Sequence, residues 1–317
     1  MKVSMKAPQK VKPTVILFGY HDMGYAGLSA LIKSGYNVVS VFTHKDSNNE
    51  NVFFKSVTDL ADKHKIPVFR PEDVNEPSWV IKINDLSPDY IITLSYRHYL
   101  SNEIVKAAKF GAYNVHASLL PAHRGRSHLN WSIIKGDEES GITLHEINNI
   151  PDAGPIYAQT KVSISNDDTA HTLHRKITEL ASTLLPVWFT ELYEGNLTGL
   201  DQDESQASSY GLRRPEDGHI DWRSNANDIR NLVRALSFPW PGAFTDSEGK
   251  KLIIWKCNVL PSEQSFIPGT VISIAPLRVA CGKDILEIDD FSLTKCPEPG
   301  YSRKITGSDI IVGMILR

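Results

Sequence analysis

Four runs of mainly apolar residues, TVILFG (14–19), NVVSVFT (37–43), YIITLS (90–95) and AYNV (112–115), recur through the first third of this chain. Continuous apolar runs of this length, without polar alternation, read as strands covered on both faces. Between them lie segments with helical periodicity. In GYAGLSALIKSG (24–35), Leu28, Leu31 and Ile32 share one stripe and Gly35 is placed as a C-terminal stop. Further helices are expected near 56–64, 79–86 and 102–108, with a short strand at IPVF (66–69). Strands alternating with helices admit few architectures. The one predicted is a Rossmann-like, mostly parallel sheet with helices on both faces.

Two more strands are expected near 141–147 and 156–162, then a long helix over 168–194. Asp168 and Thr169 supply its capping chemistry, and Pro186 is expected to kink it. The polar, acidic DQDESQASSYG (201–211) reads as a linker. Beyond it come a helix at 225–236, the turn-rich FPWPGAF (238–244), and short strands near 251–260, 269–275 and 285–293. The order suggests a small C-terminal OB-like β-barrel. Residues 14–203 are therefore assigned to a catalytic domain and 204–317 to the C-terminal domain, a comfortable size for two domains.

Charge narrows the partners. Acidic residues outnumber basic ones, 37 to 34, which gives no electrostatic footprint for a nucleic acid. The cysteines, Cys257, Cys281 and Cys296, form no metal spacing and suit a reducing compartment. The basic start, MKVSMKAPQKVKP, lacks the apolar stretch of a signal peptide, and no run is long enough to span a bilayer. A cytoplasmic protein is expected, without membrane insertion, and the plan leaves room for a homo-oligomer.

Chemistry concentrates at the end of the AYNV strand. In an extended segment positions i and i+2 face the same side, so Asn114 and His116 project together. They do so at the carboxyl end of a strand, where open α/β sheets bind ligands. A lone His is more often structural than catalytic, but a base beside a carboxamide donor is a suggestive pair. The loop PAHRGR (121–126) follows as a cationic lip. In NNIPDAGPI (148–156), Asp152 is either a turn residue bonding its own backbone or a carboxylate that orients His116.

Weaker signals lie elsewhere. GYHDMGYAG (19–27) has no G-x-G-x-x-G, so a dinucleotide site has no basis. It nevertheless opens a helix, whose N-terminus favours anions. His21, Met23 and Gly24 are therefore candidate contacts for a substrate phosphate. His171 and His174, spaced i, i+3, lack a carboxylate pattern and read as a solvated helix face, so no metal is expected. Arg213 and Arg214 in GLRRPEDGH read as solvated, with phosphate contact as the alternative.

Taken together, NVHASLLPAHRG (114–125), DAGPIYAQ (152–159) and PWPGAF (239–244) resemble the folate-dependent formyltransferases. YHDMG (20–24), FTH (42–44), YRH (96–98) and RGRSHLNW (124–131) resemble the sugar branch, acting on UDP-4-amino-4-deoxy-L-arabinose. The resemblance implies Asn114, His116 and Asp152 as catalytic residues and 10-formyltetrahydrofolate as co-substrate. It implies a folate pocket at His98, Tyr99 and Leu100, at Arg126, and at Asn148, Asn149, Ile150 and Pro151. His128 stands where the family usually carries Pro. The implied activity is N-formylation of a nucleotide-linked amino sugar for a cell-envelope glycan. The rivals are methionyl-tRNA formylation and a non-catalytic nucleotide-sugar sensor, and the intact trio disfavours the latter.

Overall fold

A computed structural model describes residues 12–46, 51–247, 250–295 and 310–316. Cys296 and residues 1–11 of the basic start lie outside the described residues. The first strands and helices are β1 (Thr14–Gly19), α1 (His21–Lys33), β2 (Asn37–Phe42), α2 (Val57–Lys63) and β3 (Val68–Phe69). They are followed by α3 (Pro77–Leu86), β4 (Tyr90–Leu94), α4 (Asn102–Lys106) and β5 (Ala112–His116). Then come β6 (Arg124–Gly125), α5 (His128–Lys135), β7 (Glu139–Glu146), β8 (Ile156–Ser163) and the long α6 (Ala170–Glu194). The chain continues through β9 (Ser209–Tyr210), α7 (Ala226–Leu236) and β10 (Ala243–Ser247). It closes with β11 (Lys250–Leu260), β12 (Val271–Ile274), β13 (Leu277–Ala280) and β14 (Ile285–Lys295).

The strands form a seven-stranded sheet in the order β3-β2-β1-β4-β5-β7-β8 and a five-stranded sheet in the order β10-β11-β14-β13-β12. In the first, β1 pairs parallel with both β2 and β4, and β4 with β5. The β5–β7 pairing runs antiparallel. Val15, Ile16, Leu17 and Phe18 of β1 are fully buried, as a strand covered on both faces requires. The second sheet is antiparallel throughout its pairings, as in a small barrel.

The fold comprises two compact units. One holds the described residues up to Arg124 with Gly141–Thr160 and Ile177–Ala207; the other holds Gly125–Ser140, Lys161–Lys176 and the described residues from Ser208. Each has its own core. Ile16, Phe18, Phe42, Ile83 and Ile91 pack together in the first, and Ile229, Val233, Leu252, Ile254 and Val279 in the second.

Three expectations change. The helix after β1 starts at His21, in the left-handed region at φ 63°, rather than at Gly24. Gly24 has a packing reason: a Cβ there would lie 2.7 Å from the Gly19 carbonyl carbon, so the glycine lets α1 close onto β1. The 201–211 stretch passes from one unit to the other at Ala207–Ser208, as a linker would, but it is not featureless. It holds a 3-10 turn at Glu204–Gln206 and β9, and its polar side chains are engaged. His174 does not lie on a solvated face. It is buried on the same stripe of α6 as Ala170, Leu173, Ile177 and Ala181. The α6 helix begins as expected, with Thr169 and Thr172 exchanging side-chain and backbone hydrogen bonds, and it runs unbroken through Pro186.

Candidate active site

The sheet register builds the site. Thr93 on β4 lies opposite Asn114 on β5, and Asn114 lies opposite His145 on β7. Their side chains form a hydrogen-bonded row. The Thr93 hydroxyl donates to Asn114 Oδ1 at 2.6 Å, and Asn114 Nδ2 lies 3.1 Å from His145 Nε2. His145 Nδ1 faces the Glu146 carbonyl at 2.9 Å. A carbonyl only accepts, so the Nδ1 position carries the hydrogen and Nε2 accepts from Asn114.

Asp152 joins from the loop between β7 and β8. It adopts the left-handed conformation, φ 56°, and its Oδ1 accepts from Asn114 Nδ2 at 3.3 Å. The same oxygen is 3.7 Å from His116 Nδ1 and 3.5 Å from His145 Nε2. A carboxylate only accepts, which fixes the Asn114 amide with its NH2 toward Asp152 and its oxygen toward Thr93. The two polar side chains at the end of β5 thus do share one face, around a single carboxylate oxygen.

His116 is 5% exposed. Its Nε2 lies 2.8 Å from the His123 carbonyl, in the lip that follows β5, so Nε2 carries a hydrogen. Burial lowers its pKa from the ordinary value of 6.5; Asp152 and the His123 carbonyl oppose that fall without cancelling it. The resting ring is therefore neutral, with Nδ1 as the nitrogen that can take a proton. Asp152 does not hold it protonated at rest, as a carboxylate partner alone would suggest. Desolvation of a charged ring in this position outweighs the attraction.

The loop bearing Asp152 is tightly closed. Glu146 N–H donates to the Pro155 carbonyl at 3.0 Å, and Gly154 packs so near Glu146 that a Cβ would sit 1.8 Å from its carbonyl oxygen. Asn148 Oδ1 accepts from the Ile150 N–H at 2.9 Å, an Asx turn at the loop's start. Asn148, Asn149, Ile150 and Pro151 are exposed, and Ile150 stands out among them as a large apolar side chain in water.

The other expected pocket residues are placed as follows. His98 is half-buried, its ring edge-on to Tyr96 and His44, and its Nδ1 has no hydrogen-bond partner among the described residues. Tyr99 is exposed and offers its carbonyl to Asn75, whereas Leu100 packs against the first core. Arg126 belongs to the other unit, with an exposed side chain and an N–H donated to the Tyr210 carbonyl. His21 is half-buried and lies against the Phe54 ring, and Met23 and Gly24 are buried. The α1 N-terminus carries Asp22 in its first turn, a charge unfavourable to an anion there. Arg213 is not solvated: its guanidinium lies over the Trp131 ring, 4.8 Å from the centroid, and donates to the Asp217 carbonyl. Trp131 in turn stacks on Tyr210 with centroids 4.8 Å apart. His128 opens α5, the first helical position, where a proline is also accommodated without loss of a helix hydrogen bond.

Sequence reasoning missed His145 and Thr93. A strand reading of GITLHEI already places His145 on the face opposite Leu144, but only the pairing register shows that this face is the one carrying Asn114.

A formyl transferase family model matches residues 11–188, and a model of the formyl transferase C-terminal domain matches 213–300. The chain belongs to the formyltransferase family. Among solved structures it is similar to an N-formyltransferase from Helicobacter canadensis in complex with folinic acid and dTDP-3-aminofucose, at 19% identity and a TM-score of 0.66. That match covers 86% of this chain and 98% of the other. It is also similar to WlaRD, a sugar 3N-formyltransferase studied with dTDP and 5-N-formyl-tetrahydrofolate (17% identity, TM-score 0.65, 88% of this chain and 98% of that one). A third likeness is to HypX from Aquifex aeolicus, at 17% identity and a TM-score of 0.59, covering 89% of this chain and 44% of HypX. At such identities the likeness is one of fold. No helix among the described residues is long and apolar enough to cross a membrane.

Proposed function

We propose that the protein transfers the formyl group of 10-formyltetrahydrofolate to the amine of a nucleotide-linked amino sugar. The observation that carries the reading is the convergence of Asn114 Nδ2 and His116 Nδ1 on one carboxylate oxygen of Asp152, at an imidazole whose burial disfavours the charged form. A neutral base beside a carboxamide donor suits acyl transfer to an amine. The sugar amine attacks the formyl carbon, and charge develops on the formyl oxygen. Asn114 Nδ2–H turns from its long 3.3 Å contact with Asp152 to that oxyanion. His116 Nδ1 takes the proton that the amine sheds, and Asp152 stabilises the imidazolium only while it exists. The proton then passes to the folate nitrogen as the carbon–nitrogen bond breaks. No covalent enzyme intermediate is needed.

The sugar acceptor is supported by the motif resemblance and by the acidic balance, and the two formyltransferase structures above were both studied with thymidine nucleotides. We favour a UDP-linked 4-amino sugar such as UDP-4-amino-4-deoxy-L-arabinose, with residues 14–203 catalytic and 204–317 an OB-like C-terminal domain in a cytoplasmic enzyme. The formyl donor would lie against His98, Tyr99, Leu100 and the 148–151 loop. The test is incubation of purified protein with formyl donor and a panel of UDP- and dTDP-linked amino sugars. A product heavier by one formyl group is expected with a UDP-4-amino sugar. Turnover of dTDP sugars alone overturns the nucleotide choice, and turnover of none overturns the acceptor class.

A further inference from the structure

The two ends of the His116 ring are held by different loops. Nε2 is held by the His123 carbonyl, before Arg124, and Nδ1 faces Asp152. One side chain joins these loops. Gln202 donates through Nε2 to the carbonyls of Asp152 at 2.8 Å and Gly154 at 2.7 Å. Its Oε1 accepts from Arg124 Nε at 3.2 Å and Nη2 at 2.8 Å. The orientation is unambiguous, because two carbonyls can only accept and a guanidinium can only donate. Both hydrogens and both lone pairs of the amide are thereby used.

Arg124 is buried, and it also holds both carboxylate oxygens of Glu204, at 2.7 and 2.9 Å. That contact lowers the Glu204 pKa, so the fork stays charged on both sides. Gln202 and Glu204 both come from the polar 201–211 stretch whose composition suggests a linker. Their side chains instead close a circuit: His116 to the His123 carbonyl, Arg124 to Gln202, Gln202 to the backbone of Asp152, and Asp152 back to His116.

We infer that Gln202 is a positioning residue, which sets the distance between the Asp152 carboxylate and His116 by gripping the backbone on either side of Ala153 and tying it to Arg124. The inference rests on the acyl-transfer reading for its effect on rate, but not for its effect on the imidazole. Asp152 sits in the left-handed region, φ 56°, which non-glycine residues occupy uncommonly, although Asp does so more readily than most. The two Gln202 hydrogen bonds to the carbonyls of Asp152 and Gly154 hold the backbone there. Without them the carboxylate gains freedom to leave the ring, and a displacement near 1 Å can cost about 10²-fold in rate.

The experiment compares the wild-type protein with Gln202→Ala, Gln202→Met and Asp152→Asn. Gln202→Met keeps the length of the side chain and adds no charge, but loses the two donated hydrogens. The ¹⁵N shifts of His116, identified by their loss in His116→Gln, are recorded without substrate. Turnover is then measured over pH. Both Gln202 variants should move the His116 ¹⁵N shifts in the direction that Asp152→Asn moves them. They should lower kcat by about tenfold to a hundredfold with KM nearly unchanged, and shift the acid limb of the rate profile to lower pH. Combined with Asp152→Asn, Gln202→Ala should cost little more than Asp152→Asn alone, because both act through one carboxylate. Unchanged ¹⁵N shifts in folded Gln202→Met overturn the inference, as does full additivity. Altered shifts in a protein that formylates nothing leave the positioning role standing and remove the acyl-transfer reading. Should Gln202→Ala fail to fold, Gln202→Met decides.

Discussion

His116 combines near-complete burial with a hydrogen committed to a backbone carbonyl, so its proton chemistry is confined to Nδ1. Replacing it by Ala should lower turnover by about 10²–10⁴, the span of general acid–base catalysis. Thermal unfolding of the variant separates lost chemistry from lost structure. Asp152→Asn keeps the shape and removes the charge that opposes burial, so the His116 pKa falls further. The acid limb of kcat/KM should therefore move to lower pH while the maximum rate drops, and an unmoved limb returns Asp152 to a turn residue. The same shift governs stability. A folded-state pKa below the unfolded value means that the unfolded chain binds more protons, so His116 contributes stability fully above about pH 6.5 and loses it as pH falls toward the folded value. Wild-type protein should thus lose stability more steeply than His116→Gln on acidification from pH 7 to 5, measured by urea unfolding.

At the scale of elements, the loop between β7 and β8 is the rigid arm of the site. Gly154→Ala would drive a Cβ into the Glu146 carbonyl oxygen, a backbone atom that cannot swing away. Overpacking of this kind costs about 1–3 kcal/mol, so the variant should melt several degrees lower and lose activity through Asp152. Near-wild-type melting and turnover would show that the loop relaxes freely. Neither the steric need for glycine nor the circuit behind it was legible in DAGPI. The long regular elements were, because β1, β2, β4 and β5 are short apolar runs with buried faces, and α6 and α7 carry clear helical stripes. What composition hid was short or polar. The helix α5 has only eight residues, β13 follows β12 through the tight Ala275–Pro276 turn, and two polar residues of the 201–211 segment, Gln202 and Glu204, answer a buried arginine. The partners of Asn114 and His116 were legible in part. Spacing put those two on one face and singled out Asp152, whereas Thr93 and His145 become visible only through the cross-strand register.

For the whole molecule, the decisive quantity is how its charge meets its substrate. With 37 acidic against 34 basic residues, the chain has no surplus with which to hold a polyanion. Several cations are also already engaged: Arg124 by Glu204 and Gln202, Arg278 by Glu287, and Arg234 by the carbonyls of Ser165 and Asp168. A nucleotide sugar asks less, since a diphosphate has no condensed counterion atmosphere to release. Its KM should therefore rise only a few-fold, about threefold, between 50 and 200 mM salt, the range across which a protein on several nucleic-acid phosphates loses about 10³–10⁵ in affinity. The acceleration in this picture comes from holding the amine against the formyl carbon, which depends on short contacts within the site and not on long-range attraction. The measurement is KM and kcat for the UDP-4-amino sugar across that salt series, beside a methionyl-tRNA control. A steep dependence with efficient formylation of the tRNA would reassign the acceptor while leaving Asn114, His116 and Asp152 in their proposed roles, because the salt response reports the surface that gathers the substrate and the pH profile reports the ring that takes its proton.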